Sequence, residues 1–557
     1  MNKTRYIILI LIAAFLGVFL LWPLVTVFQK AFVDGKGFTL FYFAELITVW
    51  PRMRAVFTSV EIALLVTACS MLISFPLAFL VSRRSFIGRS LVSALVLIPI
   101  ILPPFVGAVG MKLIFARFGA LTALLMKLNI VQGPIDWLGA FPLLGVVLME
   151  SLHLFPILFL NMTAAFSTID PTLEESAANM GAGPLSVFRR VTLPLAAPGL
   201  FAGTILVFIW SFTELGTPLV FGMRGVLPVM IYDSVSEIGT NPLGYAEVVV
   251  LLAVAIGGFL LSKAVAGGTV DTFGRISVSR KEQPLSRIGT VAAWAFLGVI
   301  LIIALLPHIS VVLLSISSRW FLTVVPSGFT FDHIRTAMTS PLAVSAMKNS
   351  FMLSIAATAV ISIMGFLIAW LNVRARAKGA AVIDAIAMIP LAAPGIVLAF
   401  GYLGSFSGWK IIDPRVNPMI LLAISYAIRR LPFMVRSAHA GLSQTSRTYE
   451  EAAANLGAPP WRVIRRVTIP LIFANLLAGG ILCFAFSMLE VSDSMILAQS
   501  EQYYPITKAI YALSDGLEHG VNVASALGVW AMGLLASAML LTAVLLGKKM
   551  GQMFRAG

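Results

Sequence analysis

Long apolar runs alternate with short polar breaks along this chain. About 20 apolar residues cross a hydrocarbon core as a helix. By that measure, spans are predicted near residues 7–28, 56–81, 91–116, 141–163, 198–222 and 245–266. A second set is predicted near 290–316, 348–373, 383–404, 418–438, 472–498 and 523–546. The expectation is an all-α integral membrane protein with twelve transmembrane helices in two sets of six. The polar stretch 267–289, holding Arg275, Arg280, Lys281 and Arg287, reads as a cytoplasmic linker between halves 1–266 and 290–557. The first apolar run follows Lys3 and Arg5, is too long for a signal-peptide core, and has no small-residue cleavage site after it. It is expected to remain as a transmembrane helix.

The two sets are copies of each other. Glu174-Glu175-Ser176-Ala177-Ala178-Asn179-Met180-Gly181 recurs 276 residues later as Glu450-Glu451-Ala452-Ala453-Ala454-Asn455-Leu456-Gly457. Arg189 to Pro194 recurs at the same offset as Arg465 to Pro470, Pro156 as Pro432, and Glu214 as Glu490. Upstream, Pro99 and Pro103 match Pro390 and Pro394 at an offset of 291, so the second copy is 15 residues shorter between its third and fourth spans. An even number of helices per copy gives both the same orientation. The copies should be parallel repeats about a pseudo-two-fold axis along the membrane normal, with a pathway between them.

Composition agrees with lipid as the solvent. Of 557 residues, 59% are hydrophobic and 11% charged, and mean hydropathy is +0.97, whereas soluble chains carry roughly a quarter charged residues. The net charge of +15 could point to nucleic acid, but in a membrane protein the distribution of charge matters more. With the N-terminus inside, more than half of the 39 Lys and Arg fall in cytoplasmic segments, among them Arg83, Arg84, Arg89, Arg374, Arg376, Lys378, Lys548 and Lys549. Both termini are therefore expected in the cytoplasm, and no nucleic-acid partner is expected. Cys69 and Cys483 sit in apolar stretches and read as small buried hydrophobes. Neither they nor the five scattered histidines have metal-ligand spacing, so no metal site is predicted.

The repeated loop carries the most chemistry. In both copies it lies between the fourth and fifth spans, on the cytoplasmic side. Acids suit the positive N-terminal end of a short helix, alanines permit close approach to another surface, and Gly181 or Gly457 lets the chain turn back. Pro194 and Pro470 fit the start of the following helix. Glu175, Ala177, Gly181, Val191, Leu193 and Pro194, and again Glu451, Ala453, Gly457, Val467, Ile469 and Pro470, resemble the signature loop of binding-protein-dependent ABC importer permeases. Ser176 and Ile469 depart mildly from that pattern. The resemblance implies that this loop docks into a cytoplasmic ATPase and couples nucleotide-driven closure to the channel. It assigns that role to Glu174, Glu175, Ala177, Gly181, Pro194, Glu450, Glu451, Ala453, Gly457 and Pro470.

No G-x-x-x-x-G-K-[ST] occurs in the chain, so it has no P-loop of its own. The resemblance then implies a non-enzymatic translocation subunit that binds no cofactor, with ATP and Mg on a separate ATPase present in two copies. It also implies an extracytoplasmic solute-binding protein as partner. Fused double permeases resembling this chain serve ferric iron, organophosphonates, sugar phosphates and related small anions, with ferric iron the leading expectation.

Ionisable groups inside predicted spans mark the pathway candidates: Glu150, His153, Glu214, Arg429, Arg430, Glu490 and Asp493. Glu150 and His153 are one helical turn apart, and Arg429 occupies the repeat position of His153. Two readings stand side by side. Arg429 and Arg430 form an anion-favouring site, or they pair with Glu490 and Asp493 to neutralise one another. Tyr503, Tyr504 and Tyr511 read as an interfacial belt or a binding-protein surface. The rival class is a twelve-helix secondary transporter driven by an ion gradient. It predicts an elaborate polar motif after the second span, which Ser82-Arg83-Arg84 lacks, and it leaves the paired loops unexplained.

Overall fold

The computed structural model describes residues 2–35, 37–239, 241–266, 283–516 and 520–546. Residues 267–282 of the expected linker, with Arg275, Arg280 and Lys281, lie outside the described residues, as do Lys548 and Lys549. The fold is all-α, its described strands being three ladders of two or three residues per strand. Among the described residues, nine helices are long and apolar enough to cross a membrane, or up to eleven if each of two bent pairs counts as one span.

Three features depart from the twelve uninterrupted helices of the sequence reading. The expected spans 91–116 and 383–404 are each broken: Arg89–Ile101 meets Pro104–Ile114 at 85°, and Ala380–Leu391 meets Gly395–Phe406 at 105°. Proline explains both, since it lacks an N–H and clashes with the preceding turn. Pro103 and Pro394 adopt ψ of 138° and 149°, off the helix, and a new helix starts immediately after each. The expected tenth span exists as the 26-residue helix Met419–Gln444. It falls outside the apolar set because Arg429, Arg430 and Arg436 lie along it. Finally, the expected spans 198–222 and 472–498 stop short. The helices Leu193–Phe212 and Ile469–Met488 end, and after a three-residue break the short helices Gly216–Val220 and Ser492–Leu497 begin.

The two copies are built alike. In the first, Trp50–Arg83 packs on Pro142–Ser167, and both pack on Leu193–Phe212; in the second, Pro341–Val373, Met419–Gln444 and Ile469–Met488 repeat the arrangement. The leading helices cross over. Trp22–Phe32 lies against Leu243–Ala266 of its own half and against Gly395–Phe406 of the other. Arg287–Ile316 lies against Gly520–Leu546 of its own half and against Pro104–Ile114 of the other. Glycines allow these crossings: a Cβ on Gly401 would come within 2.9 Å of the Pro23 carbonyl, and one on Gly110 within 2.2 Å of Ser310 Oγ. Tyr402 donates to the Phe19 carbonyl at 2.7 Å, Lys30 to that of Gly404 at 2.9 Å, and Trp294 to that of Ile87 at 3.0 Å. Ser59 and Ser350, 291 residues apart, accept the backbone N–H groups of Leu227 and Ile506 at 2.8 Å each, pinning a short helix at the same place in both halves.

Candidate functional site

The repeated loop folds as a helix, a turn and a second helix. In the first copy the helix Pro171–Asn179 is capped by Asp170, whose side chain accepts the Thr172 N–H at 2.9 Å. The second copy forms Thr448–Asn455. Both end in the same six-residue turn. Ala182 N–H donates to the Ala177 carbonyl and Ala458 N–H to that of Ala453, each at 3.1 Å, around Gly181 and Gly457 with φ of +88° and +82°. The left-handed backbone is what requires glycine there, because space around a Cβ is open at both positions. The basic stretch then runs through Pro184–Val187 and Phe188–Thr192 without a break into the fifth helix, with Pro194 in its first turn. Pro470 takes the same place in Ile469–Met488.

The loop residues divide by direction. Ala177 is buried and Ala453 half-buried, so the close approach they permit is to the chain itself rather than to another surface. Glu175 and Glu451 are exposed. Large apolar side chains project beside them: Leu173, Met180 and Leu185 are 44%, 84% and 68% exposed, and their mates 276 residues on, Tyr449, Leu456 and Trp461, are 59%, 89% and 68% exposed. Three exposed apolar positions repeated at one offset on a short polar helix–turn unit are a patterned feature rather than scattered exposure.

Glu174 and Glu450 turn the other way, onto residues that sequence reasoning missed. Glu174 takes Arg83 at 2.7 Å and the Thr192 hydroxyl at 2.5 Å; Glu450 takes Arg374 and the Thr468 hydroxyl at 3.0 Å each. The offsets of 291 for the arginines and 276 for the threonines are the available signal.

The pathway candidates gather where the fifth and eleventh expected spans break. Glu214 lies in the first break, and its Oε1 accepts the N–H groups of Gly216 and Thr217 at 3.1 and 3.3 Å. Glu490 lies in the second break, so neither glutamate sits within a continuous helix. Glu490 receives both Arg429 and Arg430. Asp493, fully buried, accepts Ser425 Oγ at 2.9 Å and lies 3.6 Å from Arg429. The Arg429 guanidinium crosses Gly395 so closely that a Cβ there would come within 2.3 Å of its Nη1. In the first half, Glu150 is 1% exposed, holds Ser211 Oγ with one oxygen, and has no partner for the other among the described residues. Glu150 interacts electrostatically with Glu214, and Glu214 with Glu490. His153, one turn on from Glu150 in the helix Pro142–Ser167, neighbours His308. Two arginines thus face two acids in the second half, while the first half keeps Glu150 and Glu214 without an ion pair among the described residues.

Beside the second break, where Thr507 donates to the Glu490 carbonyl at 2.7 Å, Lys508 is buried and donates to Tyr232 Oη of the first half at 3.0 Å and to the Met495 carbonyl at 3.1 Å. Tyr503, Tyr504 and Tyr511 are each partly buried, and the Tyr504 ring lies 5.8 Å from Lys508 Nζ. No group of three His, Cys, Asp or Glu able to hold a metal forms among the described residues.

Residues 70–269 and 361–550 each match the family described as "Binding-protein-dependent transport system inner membrane component". The "Ferric transport system permease protein FbpB" of Actinobacillus pleuropneumoniae is 25% identical over 537 residues, which is 94% of this chain and 76% of that one. The "Probable ABC transporter permease protein y4fN" of Sinorhizobium fredii is 30% identical over 502 residues, covering 85% of this chain and 84% of that protein. The "Molybdenum transport system permease protein ModB" of Escherichia coli aligns over 233 residues at 28% identity, which is 40% of this chain and 98% of that relative.

Proposed function

The chain belongs to the family of binding-protein-dependent transport system inner membrane components, present in two copies, and from that premise we propose how it works. It is the membrane permease of an ATP-driven importer, a multi-pass translocation subunit rather than an enzyme. Each half presents one coupling loop to one subunit of a separate cytoplasmic ATPase, so two ATPase copies serve one chain. An outer binding protein delivers the solute. This chain binds no cofactor; ATP and Mg reside on the partner. Halves 1–266 and 290–557 joined by a cytoplasmic linker, with both termini inside, complete the reading.

The observation that carries the proposal is the duplicated helix–turn–helix, with its left-handed glycine and its three exposed apolar positions at one offset. Glu175, Gly181, Glu451 and Gly457 serve docking, with Pro194 and Pro470 starting the helices that receive the motion.

Ferric iron is the substrate this reading favours. Two supports point the same way: the relative named as a ferric permease covers nearly the whole chain, and Glu150 and Glu214 have no ion pair among the described residues. Arg429 and Arg430 are occupied by Glu490, which supports the neutralising role for them over an anion site. Glu150 and Glu214 remain as hard oxygen donors, which suit a hard cation better than an oxyanion. Proteoliposomes holding the chain, its ATPase and its binding protein test this with labelled ferric iron, molybdate and a phosphonate. Ferric uptake that needs both ATP and binding protein is expected. Uptake of molybdate or phosphonate without ferric iron would overturn the substrate and leave the importer standing.

A further inference from the structure

Each coupling loop is tied to its own half by the same three side-chain types. Arg83 ends the helix Trp50–Arg83, Glu174 lies in the first turn of the docking helix, and Thr192 immediately precedes the next transmembrane helix. Arg374, Glu450 and Thr468 take the same three places. Some residues around them differ between the copies, Ser82 and Arg84 becoming Val373 and Ala375 and Leu173 becoming Tyr449, while others such as Glu175 and Val191 recur as Glu451 and Val467. The arginine, the glutamate and the threonine do not change.

These are not surface ion pairs of negligible worth. The exposures are 4% and 14% for Arg83 and Glu174, and 7% and 16% for Arg374 and Glu450. The glutamate is charge-assisted in both copies and receives donors from two separate elements. The guanidinium of Arg374 also reaches the Thr445 carbonyl at 2.8 Å, closing the end of the preceding helix.

We propose that the two triads are latches that fix each docking helix to the transmembrane bundle. Arg83, Glu174, Thr192, Arg374, Glu450 and Thr468 are then positioning residues for coupling, not contacts for the ATPase. The proposal rests on the reading of the loops as ATPase docks. The mechanical reason is direct. Two of the three exposed apolar positions, Met180 with Leu456 and Leu185 with Trp461, lie beyond the far end of a helix only nine or eight residues long. A push there moves the bundle only if the near end cannot pivot. The latch holds that near end to two helices at once, while Glu175 and Glu451 stay free to face a partner.

The test is the double variant Glu174→Gln with Glu450→Gln in the full chain assembled with its ATPase and binding protein. The ATPase should still bind and hydrolyse ATP, while solute moved per ATP falls about tenfold, the factor that loss of one charge-assisted hydrogen bond corresponds to. Exchanging Arg83→Glu with Glu174→Arg, and Arg374→Glu with Glu450→Arg, should recover part of that ratio, and a swap that recovers none of it would overturn the pairing as the cause. An unchanged ratio in the double variant overturns the latch. Hydrogen exchange of the full chain in nanodiscs gives an answer independent of the ATPase. Amides of residues 173–179 and 449–455 should exchange about tenfold faster in the double variant, and unchanged exchange also overturns the latch. If the wild-type chain recruits no ATPase, the docking reading fails, and the exchange result still decides the latch.

Discussion

Individual side chains show what the sequence could and could not reveal. Glu174 and Glu175 are adjacent acids in one motif, and nothing in their spacing tells which faces the protein and which faces out. The structure divides them: Glu174 binds Arg83 and Thr192, and Glu175 is exposed. Arg83 was visible only as a basic residue at a span end, because its partner is 91 residues away. Arg429, Arg430 and Glu490 were legible as a group, yet their pairing was open until the geometry put both guanidinium groups on one carboxylate. That pairing makes Glu490→Gln an informative change. Removing one partner of a buried pair costs roughly 3–5 kcal/mol, so thermal unfolding of the purified chain should drop sharply. A melting temperature equal to wild type would show that the arginines have other partners. Gly395→Ala tests the same cluster from the side. A methyl group there must displace the pinned Arg429 guanidinium, and overpacking of this kind costs about 1–3 kcal/mol. A loss of stability and of uptake is expected, with Ala at Gly298, which has open space around a Cβ and an ordinary helical backbone, as the neutral comparison for packing.

Among the elements, helices were readable and their interruptions were not. Apolar length located every broken span, but Pro103 and Pro394 turned two of them through 85° and 105°. Hydropathy averages over a window and cannot register a bend made by one missing N–H. The same averaging carried the fifth and eleventh spans across breaks at Glu214 and Glu490, which is why those residues looked intramembrane and helical. The helix–turn–helix shape of the repeated loop, by contrast, was legible, because its acids, glycine and proline each have a local conformational reason, whereas the inward direction of Ala177, Glu174 and Glu450 was not. Its turn makes a sharp prediction. Gly181→Val with Gly457→Val forces β-branched residues into a left-handed backbone, costing about 1–2 kcal/mol per site. Asparagine at both sites tolerates that backbone better. Binding-protein stimulation of ATP hydrolysis should collapse in the valine variant and survive largely intact in the asparagine variant. Equal stimulation in both would show that the turn plays no part in coupling.

For the whole molecule, the repeat offsets established two parallel copies before any coordinates, but not how the copies hold each other. The leading helix of each half packs against the other half, through Tyr402 to Phe19, Lys30 to Gly404 and Trp294 to Ile87. Such contacts are long-range in sequence and leave no periodic trace. They predict that residues 1–266 and 290–557, expressed together as two chains, will associate in the membrane and restore uptake. Failure to copurify would mean that the covalent link, not the crossed helices, joins the halves. The central claim remains that one chain supplies both docking surfaces of an importer. Native mass spectrometry of the assembled complex tests it most directly. One copy of this chain with two ATPase subunits is the predicted mass, falling to one ATPase when Leu173, Met180 and Leu185 are replaced by aspartate. A complex with two copies of this chain around one pair of ATPase subunits would contradict the account.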